Sequence, residues 1–110
     1  MESIKTVLLV EDNLGDARLL REMLNEQNSL STQLTHLECV SDAESYLVEH
    51  AVDIILLDLG LPDAQGLEAI QRAHAAAPGV PLVVLTSLDD VSLAVQALQL
   101  GAQDYLIKVG

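Results

Sequence analysis

Four short apolar runs punctuate the chain, Val7 to Val10, Ile54 to Leu57, Leu82 to Leu85 and Tyr105 to Ile107, and each is followed at once by a polar residue of distinct chemistry. The first three are continuously apolar rather than alternating, the pattern of strands covered on both faces at the centre of a parallel sheet. A further run, Leu34 to Val40, alternates with Thr35, His36 and Glu38 and predicts an edge strand. Between the runs, Ala17, Leu20 and Leu24 recur at helical spacing, as do Leu67, Ile70, Ala73 and Ala77. They predict helices over 14–27 and 65–77, the second ended by Pro78 and Gly79. Ser41 followed by Glu44 has capping-box spacing at the start of a helix holding Ala43, Tyr46 and Leu47. Asp89 and Asp90 open a last helix carrying Val91, Leu93, Ala94, Val95 and Leu98, with Gly101 just past its end.

Strand and helix therefore alternate, which is the pattern of βαβ units. The predicted fold class is α/β, a doubly wound five-stranded parallel sheet of order 2-1-3-4-5 with right-handed crossovers. The 110 residues make one domain, 1–110, without repeat or linker. The sequence stops at Gly110, directly after the fifth strand. The first and last strands, with Val7, Leu9 and Leu106, are accordingly expected to lack cover on one face. Either self-association through that face or a shift of the 14–27 helix is expected to shield it.

Composition narrows the partners. Seventeen acidic side chains face five basic ones, Lys5, Arg18, Arg21, Arg72 and Lys108, for a net charge of -12. With no basic cluster and only Tyr46 and Tyr105 as aromatics, neither nucleic acid nor an anionic membrane is expected to bind, and a divalent cation is the more natural small partner. No apolar run approaches the roughly 20 residues that span a bilayer, and Met1 to Lys5 do not begin a signal peptide. Cys39 is the lone cysteine, read as a buried, inert thiol. These features together read as cytoplasmic.

Chemistry enters where the runs stop. In an open parallel sheet the carboxyl ends of the strands line one crevice, so Glu11 and Asp12, Asp58, Thr86 and Lys108 should converge there. Asp58 can attack phosphorus as a nucleophile if the charge of the incoming group is offset. Asp12 and Asp58 offer hard oxygen ligands to Mg²⁺, with Glu11 ligating or holding a metal-bound water. Lys108 and the Thr86 hydroxyl can bind phosphoryl oxygens, helped by backbone N–H groups near Gly60 and Ser87. Taken singly, each is as readily a solvated loop acid, a cap or a surface lysine; their joint occurrence at four strand ends favours the site. Asp89 and Asp90 read as helix-start charges, and Asp63 as a turn residue after Pro62. His36, His50 and His74 lack metal-ligand spacing, and no glycine-rich nucleotide loop is present.

These segments, VLLVEDN (Val7 to Asn13), IILLDLGLPDAQG (Ile54 to Gly66), LVVLTS (Leu82 to Ser87) and GAQDYLIK (Gly101 to Lys108), resemble the receiver domain of two-component response regulators over Lys5 to Lys108. The VEDNLGDARLL opening is similar to receivers attached to sensor kinases, phytochrome partners or cyclic-di-GMP enzymes. The resemblance implies that Glu11 and Asp12 form an acidic metal pair and that the Gly60 carbonyl is a further Mg²⁺ ligand. It implies that Asp58 accepts phosphoryl from a histidine kinase or phosphotransfer protein, that Thr86 and Lys108 bind that group, and that Tyr105 is the switch aromatic. A phosphorylated receiver would change its surface along the last helix and strand to control an output domain or partner protein, acting as an enzyme only on itself. The sequence departs from the family where Val109 rather than proline follows Lys108; a cis bond there would cost about 2.5–4 kcal/mol, so trans is expected. The family's fifth helix is also absent. The rival readings are a phosphorylation-independent interaction module and a phosphohydrolase, against which stands the lack of a second acid in Asp58-Leu59-Gly60.

Overall fold

Strands form where apolar residues run unbroken because, in this chain, both faces of the sheet receive helices. The computed structural model describes residues 5–27 and 32–108. In chain order the elements are β1 (Lys5–Val10), α1 (Leu14–Gln27), β2 (Thr32–Leu37), α2 (Val40–Glu49), β3 (Ile54–Asp58), α3 (Leu67–Ala76), β4 (Leu82–Thr86), a 3-10 turn (Leu88–Asp90), α4 (Val91–Gln99) and β5 (Asp104–Ile107). The sheet is parallel throughout, in the order β2-β1-β3-β4-β5. The period of two along each strand divides the core. Leu8, Val10, Ile55, Leu57 and Val84 face α2, α3 and α4, and Val7, Leu9, Leu56 and Leu85 face α1.

Four expectations need correction. The edge strand stops at Leu37, because Val40 already belongs to α2. The Ser41–Glu44 capping box does not form. Cys39 is the cap residue of α2 without a side-chain bond, and its thiol is half-buried rather than buried. The cap comes instead from Asp63, whose carboxylate accepts the Val40 and Ser41 N–H groups at 2.9 and 2.8 Å and the Ser41 hydroxyl at 2.7 Å. Glu44 is thereby released to pair with Arg72 on α3 at 2.6 Å. Fourth, α1 shields Val7 and Leu9, which pack with Ala17, Leu20 and Leu24. Among the described strands β5 stays open, with Leu106 and Ile107 exposed beside Leu19, Leu20 and Met23 around a groove of about 180 Å³. The bond from Lys108 to Val109 lies outside the described residues.

The last helix ends as its glycine predicts. Gly101 adopts φ +115°, with its N–H on the Leu98 carbonyl and that of Ala102 on the Ala97 carbonyl, a Schellman closure. The His74 ring of α3 packs beside this glycine, 3.4 Å from where a Cβ on Gly101 would stand.

Burial opposes ionisation of Asp63, but the N–H and hydroxyl bonds it accepts prevail and lower its pKa to about 2. The stabilisation it gives is present above the unfolded carboxyl value of about 3.9 and lost as pH falls towards 2. Asp63→Ala should cost about 1 kcal/mol at pH 7 and lower Tm by roughly 4–8 °C. Thermal melts should show that gap narrowing below about pH 4; a gap that ignores pH would assign the loss to something other than the carboxylate.

Candidate functional site

Strand register decides which side chains meet. Val10 lies opposite Leu57, Asp58 opposite Leu85, and Thr86 opposite Ile107, so the residues at the ends of four strands emerge at one level. They line a crevice of about 450 Å³ with Asn13, Asp16, Gly60, Ser87 and Asp90. Every residue expected from the sequence to touch metal or phosphoryl is on this wall.

Lys108 is the centre of the crevice. Its Nζ lies 2.8 Å from Asp58 Oδ1, 2.9 Å from Glu11 Oε1 and 3.1 Å from Asp16 Oδ2. Burial acts against its charge, but the bonds to Asp58, Glu11 and Asp16 outweigh it and push its pKa well above the ordinary lysine range. Glu11 is fully buried; desolvation, opposed by the Lys108 bond and aided by the charge of Asp58, pushes its carboxyl up. The backbone around Glu11 is fixed by its N–H on the Leu37 carbonyl and by His36, whose Nε2 lies 2.6 Å from the Glu11 carbonyl and donates to it. Asp58 Oδ2 accepts the Gly60 N–H at 3.1 Å.

Glu11, Asp12 and Asp58 each present an oxygen within 4.8 Å of the others. Three clustered hard oxygens, one exposed and two buried, fit Mg²⁺, and like charges so close are unfavourable without a cation. Thr86 is buried at the end of β4, and its hydroxyl reaches the Ser87 and Asp90 carbonyls only at 3.4 and 3.3 Å, long for O–H donors and therefore weak. Tyr105 stands apart from the crevice, half-buried on β5 opposite Val84 and packed against the core beneath α2, α3 and α4.

Sequence reasoning missed three participants. Asn13 caps α1 through Oδ1 on the Asp16 N–H at 3.0 Å, which its residue type just before a helix could have signalled. Asp16, a first-turn acid, reaches Lys108; neither it nor His36 carries a motif that marks its contact.

A profile of the response regulator receiver domain matches residues 7–109. The chain belongs to that family. Among curated relatives, this receiver is 40% identical over 103 residues to the transcriptional regulatory protein PhoP of Escherichia coli K12, covering 93% of the chain and 44% of PhoP. The match to the virulence transcriptional regulatory protein PhoP of Salmonella typhimurium has the same identity and coverage. The receiver thus spans less than half the length of these relatives. Among solved structures it is similar to the phosphorylated cyanobacterial phytochrome response regulator RcpA, with 29% identity, TM-score 0.82, and 98% and 83% of the two chains covered. The Mn²⁺-bound response regulator Rcp1 gives 29% identity, TM-score 0.81, and coverage of 96% and 81%.

Asp12→Asn removes one charge from the crowded trio. The metal-free receiver should melt higher for it, and Mg²⁺ should no longer raise Tm by mass action. Melts across a Mg²⁺ series check this, and an unchanged Mg²⁺ response would move the metal elsewhere.

Proposed function

We propose that this receiver takes a phosphoryl group from the phosphohistidine of a histidine kinase or phosphotransfer protein onto Asp58, and so switches the α4–β5 surface towards an output domain or partner. The observation that carries it is the single ammonium of Lys108 held 2.8 Å from Asp58 Oδ1 inside a ring of carboxylates. An Asp58 oxygen forms the bond to phosphorus as the P–N bond breaks, its electron pair returning to the imidazole, which yields a mixed anhydride. The Asp58 carboxylate is aligned beforehand by the Gly60 N–H and Lys108, and preorganised donors of this kind stabilise charge as it develops. Mg²⁺, held by Asp12, Asp58 and the Gly60 carbonyl with Glu11 behind them, would offset the charge of the phosphoryl oxygens. Lys108, the Thr86 hydroxyl and the Ser87 backbone N–H would take those oxygens.

The weak Thr86 bonds explain how the site reaches α4. They end on Ser87 and on Asp90, the residue before α4, and a hydroxyl held so loosely is turned inward by a phosphoryl oxygen at little cost. Vacated space beside β4 would then admit the Tyr105 ring, shifting a two-state equilibrium. The receiver catalyses its own phosphorylation and hydrolysis and nothing else. No described helix is long and apolar enough to cross a membrane, and a cytoplasmic place belongs to the same proposal, as does an output through transcription. Nucleic acid is no partner of this acidic stretch itself. Self-association would use the open groove at Leu106 and Ile107, and light scattering over a concentration series reads it, a constant monomer mass refuting it.

Intact-mass analysis after acetyl phosphate and Mg²⁺ should show one added phosphoryl group, absent in Asp58→Asn; undiminished labelling of the variant would remove Asp58 from the role. Thr86→Ala should accept phosphoryl yet lose the amide shifts over α4 and β5 that labelling produces in the wild type, and identical shifts in both would refute the switch.

A further inference from the structure

The Lys108 ammonium donates hydrogen bonds to Asp58 at 2.8 Å and Glu11 at 2.9 Å and is ion-paired with Asp16 at 3.1 Å. Three carboxylates thus surround it, and a phosphoryl oxygen entering the crevice competes with them for its three N–H groups. The three are not equivalent. Asp58 is itself the acceptor. Glu11 is fully buried, and releasing it would strand a carboxylate away from water. Asp16 makes the longest contact, an ion pair without the hydrogen bonds of the other two, and its side chain is one-third exposed. Once released it is rehydrated where it stands, while the Asn13 cap continues to hold its backbone in the first turn of α1.

We propose that Asp16 is a positioning residue that holds Lys108 in the unphosphorylated receiver and must yield it to the phosphoryl group, so that Asp16 sets how readily Asp58 is phosphorylated. The inference rests on the proposed role of Asp58. With acetyl phosphate, an Asp58 oxygen bonds to phosphorus, the P–O bond to the acetyl group breaks, and acetate leaves with the electron pair. Lys108 transfers no proton; its ammonium turns from its ion pair with Asp16 to a phosphoryl oxygen. Asp16 and Lys108 also line the apolar groove beside Leu19, Leu20 and Leu106. Their separation therefore carries the event to α1, an element that the Thr86 path does not reach.

The test compares initial rates of labelling by acetyl phosphate at saturating Mg²⁺, read by intact mass. Asp16→Ala should label about three- to tenfold faster than the wild type, the worth of one partly exposed charge-assisted bond, and Asp16→Glu should return towards the wild-type rate. Equal rates for Asp16→Ala and the wild type would overturn the inference while leaving Asp58 as acceptor. A wild type that takes no phosphoryl group would overturn the reading of the site and the inference with it. Competition for Lys108 is separated from simple repulsion of the donor in a Lys108→Met background. There the Asp16→Ala effect should vanish if Asp16 acts through Lys108, and its persistence would overturn the inference. Where Lys108→Met does not fold, salt makes the same separation. Repulsion fades at 1 M, where the screening length is about 3 Å, whereas a direct contact still gives faster labelling of Asp16→Ala. Loss of the acceleration at that salt would refute the contact as its cause. Beryllofluoride should also shift the amides of Leu19 and Leu20 in the wild type and not in Asp16→Ala, and equal shifts in both would count against release of Asp16.

Discussion

Without the Lys108 ammonium, Glu11, Asp16 and Asp58 would face one another with no compensating charge, and Glu11 has no water to turn to. Burying a lone carboxylate costs several kcal/mol, so the strand ends could not close around the crevice as they do. The ammonium spans the sheet from β5 to β1, linking residues 97 apart in sequence, and in doing so it ties an edge strand to the central pair. Stability of the receiver and, in the proposed phosphotransfer, readiness of Asp58 are therefore set by the same contact. A cation or phosphoryl group entering the crevice redistributes a charge balance that already exists.

That balance was legible in the sequence as far as it depends on strand ends. A continuous apolar run states where a buried parallel strand lies, and parallel register then carries the residue after it to a common edge; Glu11, Asp58, Thr86 and Lys108 follow from this alone. The α1 bounds and the Gly101 stop were equally readable, because periodicity and a positive-φ glycine are local signals. What failed was decided across the chain. Asp63 displaced the Ser41–Glu44 box because a carboxylate brought from the loop after β3 meets two N–H groups at once. Asp16 and His36 act on partners 92 and 25 residues away, with no spacing to betray them. The expected gap in cover was half right: α1 closes over β1 without moving off its predicted span, and among the described strands β5 stays bare.

The two faces of the sheet consequently have different duties. Beneath α2, α3 and α4 lies the larger core, cross-braced by Arg72 to Glu44 and by Asp63 to the start of α2. On the other face α1 stands over a smaller cluster, and its first turn is itself part of the crevice wall. In the proposed switch, events at Asp58 would reach α4 on one side through the Thr86 hydroxyl and, on the other, a single helix joined to the site by one ion pair.

The closure at Gly101 has a mechanical consequence. At that end α4 is held by two backbone bonds and by the His74 ring packed against the glycine, whose positive φ disfavours a side chain. At its other end the helix meets the site through hydroxyl bonds of 3.3 and 3.4 Å. In the proposed switch, a rod pinned at one end and lightly latched at the other would swing, its travel growing from the end beside α3 towards Asp90, and a surface that reads this helix would gain most by gripping it next to the crevice.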